Sequence, residues 1–138
     1  MHESVSKKWL PSLGELIDRL TICELKHLHN PEQRPALAQE IQNLMDDIQL
    51  DLPKSPYPTI DAQFIRAVII LAQYNSHIWV NEDNARKGDK SDNLLYFTHS
   101  CNGIRCRAKD KITAKVKGRI DPKVNAIAAD IPDFEPSW

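Results

Sequence analysis

Proline placement constrains this chain more than any other feature of its sequence. Nine prolines occur in 138 residues, and none lies between Pro58 and Pro122. A proline inside an α-helix removes a hydrogen bond and its ring strikes the preceding turn, so prolines mark where helices cannot run. The three in P53-K-S-P-Y-P58 force an extended crossover. Asn30-Pro31 is a stop signal, and Pro35 is tolerable only in the first turn of a helix. Pro122, Pro132 and Pro136 exclude long helices near the C-terminal end. Helix-length windows remain before Pro31, between Pro35 and Pro53, and over the long stretch after Pro58.

Apolar residues repeat at helical spacing in each window. Leu13, Leu16, Ile17, Leu20, Cys23 and Leu28 form the first stripe, and Ile22 and Leu25 widen it, so this helix is predicted to be buried on more than one side. Its start is marked by S12-L-G-E15, a capping box that satisfies free N–H groups of the opening turn. Over 32–51, Leu37, Ile41, Leu44, Met45, Ile48 and Leu52 share one face. A third helix is predicted over 60–87, about 40 Å long. Phe64, Ile65, Val68, Ile69, Leu71, Ala72, Ile78 and Trp79 make it the core element. Gly88 suits its C-cap, and Ser91 or Asp92 the next N-cap. The fourth helix then runs to about Lys117, with Leu94, Leu95, Phe97, Cys101, Ile104, Ala108 and Ile112 facing in. So short a turn joins antiparallel neighbours, and positions summing to about 180 should face each other.

Four glycines are too few for a strand-and-turn architecture, and the length suits a single domain that builds its core without metal or disulfides. The expected fold is therefore an all-α four-helix bundle over residues 1–118, with helices 3 and 4 as a long antiparallel hairpin. An irregular tail is expected over 119–138, docked through Phe134 and Trp138. No apolar run approaches the roughly 18 residues of a membrane span. The leader MHESVSKKWLPS has a basic pair without an apolar core behind it, so no signal peptide is expected. Cys23, Cys101 and Cys106 are an odd set without C-x-x-C spacing, which fits a reducing, cytoplasmic setting.

Charge is unevenly spread. Residues 101–119 hold seven basic groups and one acidic, whereas 120–138 are net acidic. No aromatic residues interleave with the basic run, so a solvated face or subunit contact is expected there rather than nucleic-acid binding.

The polar constellation begins at W79-V-N-E-D-N-A-R86. Asn75 and Glu82 occupy positions on the inner stripe of the third helix where leucine would be expected. On the fourth, His99, Asn102 and Arg105 do the same, and hairpin register brings Asn75 toward Arg105 and Glu82 toward His99. Glu82, Asp83 and His99 are thus the candidates for acid–base work. Asn75, Trp79, Arg86, Asn102 and Arg105 are the candidates for holding a ligand. Glu15, Asp18 and Glu82 are the candidate ligands for a cation such as Mg²⁺, since Glu15-x-x-Asp18 resembles one half of the paired acidic motifs by which all-helical nucleotide pyrophosphohydrolases hold magnesium, although the partner half, of the E-x-x-E type, is missing. A plainer account fits the same residues: Glu82 and Arg86 as a surface i,i+4 pair, Glu15 as a cap, Asn75 and Arg105 as a pair fixing helix register.

The strings G14-E-L-I-D-R-L-T-I22 and I78-W-V-N-E-D-N-A-R86, with Asn102 and Arg105 on the following helix, resemble a family of small all-helical bacterial and phage proteins to which no activity is attached. That family shows a G-E-L-I-D-x-L-T-I opening, a W-x-x-E-D-x-A-R segment and then an Asn/Arg-bearing helix. The resemblance covers about half of the chain and implies that Glu15, Asp18, Glu82, Asp83, Arg86, Asn102 and Arg105 belong to one unit. Some relatives are associated with surface-glycan biosynthesis, which implies a sugar-phosphate or nucleotide-sugar ligand gripped by Arg86 and Arg105.

Two readings of function follow. The first is a self-associating helical interaction protein whose polar cluster fixes packing or binds a small anion. The second is a Mg²⁺-dependent enzyme acting on a nucleotide or sugar phosphate. A homo-oligomer is the partner expected under the first, a phosphorylated small molecule under the second.

Overall fold

The computed structural model describes residues 10–52, 60–88, 92–116 and 136–137, with side chains in the last helix from Phe97 onward. Four helices account for almost all of them: α1 (Leu13–His29), α2 (Arg34–Asp51), α3 (Ala62–Arg86) and α4 (Asp92–Lys115), with a single 3₁₀ turn at Pro31–Gln33 between the first two. The proline-rich crossover at 53–58, the inward placement of Leu94 and Leu95, and the docking of Phe134 and Trp138 lie outside the described residues.

Local chemistry sets the helix ends. The Ser12 hydroxyl accepts from the Glu15 N–H at 3.2 Å, the serine half of the capping box. Asp61 caps α3 by accepting from the Phe64 N–H at 2.9 Å, which moves the start from Ile60 to Ala62. Gly88 takes φ 103° just past the end of α3, a conformation that glycine adopts without a Cβ penalty.

The expected hairpin is present. Lys115 Nζ bonds Asp61 at 2.8 Å and Gln63 at 3.2 Å, and His77 meets Phe97 edge to face at 4.6 Å, so paired positions sum to slightly under 180. At the same end of the bundle as Lys115, Arg66 donates to the carbonyl and hydroxyl oxygens of Ser137, both at 3.2 Å.

α1 runs parallel to α3, with Asp18 beside Asn75 and His29 beside Trp79, and antiparallel to α4, with Gly14 beside Thr113. One core joins Leu13 and Ile17 of α1 to Phe64, Ala67, Ile70 and Leu71 of α3 and Ile104, Ala108 and Ile112 of α4. Helix α2 leans on α1, through Leu44 against Leu16 and Cys23. Among the described residues its backbone makes no close approach to α3 or α4. The architecture is an up-down-up-down bundle with α1 at its centre and the seam between α2 and α3 left open.

That seam corrects part of the expected core. Leu28 is 64% exposed, Ile65 52%, and Met45 and Ile69 50% each. Leu28 and Met45 sit on the flanks of apolar stripes, whereas Ile65 and Ile69 lie well round α3 from its buried residues. Periodicity identifies the stripe but not how much of its width a neighbour covers.

Helices α1 and α4 approach closely at Gly14. Its N–H donates to Thr113 Oγ1 at 3.0 Å, so one of the free donors of the first turn of α1 is satisfied from α4. A Cβ on Gly14 would collide with the Lys109 carbonyl and with the Thr113 hydroxyl.

Gly14→Ala, which by helix propensity alone would stabilise an interior position by up to about 1 kcal/mol, is expected instead to lower the unfolding free energy by about 1–3 kcal/mol in urea titration. Asp61 lies below the usual carboxylate range because Lys115 and then the Phe64 N–H bond its ionised form. A carboxyl depressed in the folded state adds stability above its unfolded pKa and loses it as pH falls through the folded value. The melting-temperature gap between wild type and Asp61→Asn should therefore be present at neutral pH and close below about pH 4.

Candidate functional site

Three helices meet at a buried carboxylate. Asp18, on α1, is 7% exposed at its side chain, and Arg105, on α4, is 26% exposed. The guanidinium lies side-on to the carboxylate: Nε donates to Oδ1 at 2.9 Å and Nη2 to Oδ2 at 3.0 Å. Such a fork is the geometry in which an arginine–carboxylate pair gains most from its charge. Asn75, on α3, donates to the same Oδ1 at 2.8 Å and approaches Thr21 Oγ1 at 2.6 Å. The Thr21 hydroxyl spends its own proton on the Asp18 carbonyl at 2.7 Å, leaving its lone pairs for Asn75. Arg105 Nη1 completes the network by donating to Asn102 Oδ1 at 3.0 Å.

Each helix supplies its group because of where the apolar stripe runs. Asp18 follows Leu16 and Ile17 directly and is buried with them. Asn75 falls four residues after Leu71 on the buried face of α3. Arg105 adjoins buried Ile104 and reaches across to α1. Burial works against the charge on Arg105, but Asp18, by hydrogen bonding and by charge, with Cys106 and Glu82 beyond it, raises the arginine's pKa above its ordinary value. A charge pair this deep needs both members, because removing one strands the other.

The expected register brings Asn75 and Arg105 together, with the difference that they meet on Asp18 rather than on each other. Glu82 is exposed and acts on Arg105 only at a distance. Asp83 pairs with Lys87 at 2.9 Å and less closely with Arg86 at 3.9 Å, so the expected Glu82–Arg86 pair is replaced by one centred on Asp83. Lys87 first, with Arg86 and His29 behind it, holds Asp83 below the usual carboxylate range, which makes it a poor base. His99, expected to face inward, is exposed. The reason is helical phase: Cys101, Ile104, Ala108 and Ile112 define the buried face, and two residues from Cys101 is about 200° around the helix. Trp79 is half-buried, and its ring stacks on His29 of α1 at 5.1 Å and 13°. Arg86 is exposed at the end of α3, away from the Asp18 network.

The residues offered for a cation do not converge. Asp18 holds Arg105 and Asn75, Glu15 is half-buried in the first turn of α1, and Glu82 is exposed on α3. Among the described residues no three His, Cys, Asp or Glu side chains form a group able to hold a metal ion. The residues missed by sequence reasoning are Thr21 and Thr113. Each is a short polar side chain within an otherwise apolar helix face, a pattern too common to single them out.

Comparison with known protein families, with characterised proteins and with solved structures yields no match to this chain. What the site does must follow from its own geometry.

The cysteines also separate by environment. Cys23 and Cys101 are buried and Cys106 is exposed, all three as free thiols. Burial raises the Cys101 pKa to about 11, and burial with the Glu40 carboxylate raises that of Cys23. A thiol reagent near neutral pH should consume one thiol per folded chain, at Cys106, with Cys23 and Cys101 reacting only on unfolding. Peptide mapping after labelling checks this.

Proposed function

We propose that this chain is a helical interaction protein in which Asp18, Asn75, Asn102 and Arg105 fix the arrangement of α1, α3 and α4, and in which the apolar seam beside α1 receives a partner. The observation that carries this reading is the two-bond fork between the Asp18 carboxylate and the Arg105 guanidinium. Three donors converge on one carboxylate, and the guanidinium's side-on edge is spent inside the protein rather than turned toward a phosphate. A cation at Asp18 would have to displace a guanidinium of the same sign. By contrast, Leu28, Ile65 and Ile69 are at least half exposed, so apolar side chains are offered to a partner there. Among the described residues no helix is long and apolar enough to cross a membrane. A reducing, cytoplasmic setting is part of the proposal, since the free thiols suit it.

Stability and ligand response separate a packing role from a ligand site. Arg105→Ala is expected to cost about 2–4 kcal/mol in urea unfolding, because it strands the buried Asp18 carboxylate. The double variant Asp18→Leu/Arg105→Met should recover much of that loss, giving strongly non-additive energies. Melting temperatures of the wild type should stay flat with Mg²⁺, nucleotides, sugar phosphates or nucleotide sugars. A ligand-dependent rise of several degrees that disappears in the better-folded Arg105→Lys would overturn the reading and make the cluster a binding site.

A further inference from the structure

We infer that the open seam is the contact surface for a second copy of this chain, packed about a two-fold axis; this deepens the interaction reading and rests on it. The seam is a groove of ≈ 670 Å³ whose floor and walls include Leu20, Leu25 and Leu28 of α1 and Val68 and Ala72 of α3. A closed four-helix bundle would fill this corner by packing α2 against α3. Here α2 leans on α1, so the corner stays open. Ile65 and Ile69, one helical turn apart on α3, stand beside the groove as a half-exposed ridge.

A ridge and a groove side by side on one face are what a two-fold contact requires. The same patch must serve both copies, so a surface that offers only a groove or only a ridge cannot pair with itself. In this arrangement each copy's Ile65 and Ile69 enter the other's groove. The charged groups on the rim obey the same rule. Glu24 and Arg34 both line the groove, with opposite signs, so a two-fold rotation can set each carboxylate toward the other copy's guanidinium. Arg34 is held for this by Nε and Nη2, which donate to the carbonyls of His27 and Leu28 at 2.8 and 3.2 Å and fix the guanidinium at the end of α1.

Light scattering on the full chain at about 100 µM is expected to return twice the chain mass. Ile65→Glu and Ile69→Glu alter half-exposed positions outside the core, and each should give monomers with an unchanged helical circular dichroism spectrum. Glu24→Arg, which sets like charges across the axis, should weaken dimerisation by about ten-fold or more. A wild type that is monomeric at that concentration, or a dimer that survives both isoleucine substitutions, overturns the proposal. An apolar fluorescent dye then separates this failure from that of the interaction reading. A monomer that binds dye in the groove, and loses it in Leu28→Glu, overturns the second copy and leaves the groove to a different protein. A monomer that binds no dye overturns both.

Discussion

The Asp18–Arg105 pair is the contact on which the rest of the arrangement depends. It is the point where α1 and α4 are tied by charge, and Asn75 adds α3 to the same carboxylate. Apolar packing alone leaves helices free to slide by a turn or to rotate, since leucine against isoleucine is nearly as favourable in several registers. A forked guanidinium on a buried carboxylate is satisfied only where the two side chains meet edge to edge, as they do here. Under the packing role proposed above, the pair contributes uniqueness more than stability, because the cost of taking both charges out of water consumes most of the attraction between them.

The remaining inter-helix contacts are consistent with the same register. Gly14 can approach the α4 backbone only because it has no side chain, and its N–H then finds Thr113 rather than water. Lys115 reaches Asp61 at the same end of the bundle, while the stacked His29 and Trp79 join α1 to α3 at the other. The result is a tight three-helix unit of α1, α3 and α4. Helix α2 is held along one side, and its one-sided attachment is what leaves apolar surface at the seam.

Much of the candidate site is legible in the sequence. Asn75, Asn102 and Arg105 stand out because polar residues occupy positions on an apolar stripe, and hairpin register brings Asn75 and Arg105 to the same level. The centre of the network is not legible in the same way. Glu82 and Asp83 form a conspicuous acidic pair, yet they lie where α3 reaches solvent, and Asp83 is occupied by Lys87. Asp18 is picked out in the sequence only as half of an acidic pair with Glu15, and its role as acceptor for Arg105 and Asn75 depends on how α1 is rotated against two other helices. His99 is misplaced for a related reason, since two residues along a helix carry a side chain to nearly the opposite face.

The sequence by itself determined the helices, their order and the antiparallel pairing of α3 with α4, because prolines, caps and apolar spacing act over a few residues and a short turn leaves one way to fold back. Tertiary structure alone decided that α1 is central, that α2 lies along α1 and apart from α3, and that Asp18 gathers Arg105 and Asn75. Those outcomes depend on the rotation and separation of helices remote in the chain. Such variables are set by steric fit, as at Gly14 against Lys109, and by the few hydrogen bonds that only one packing satisfies.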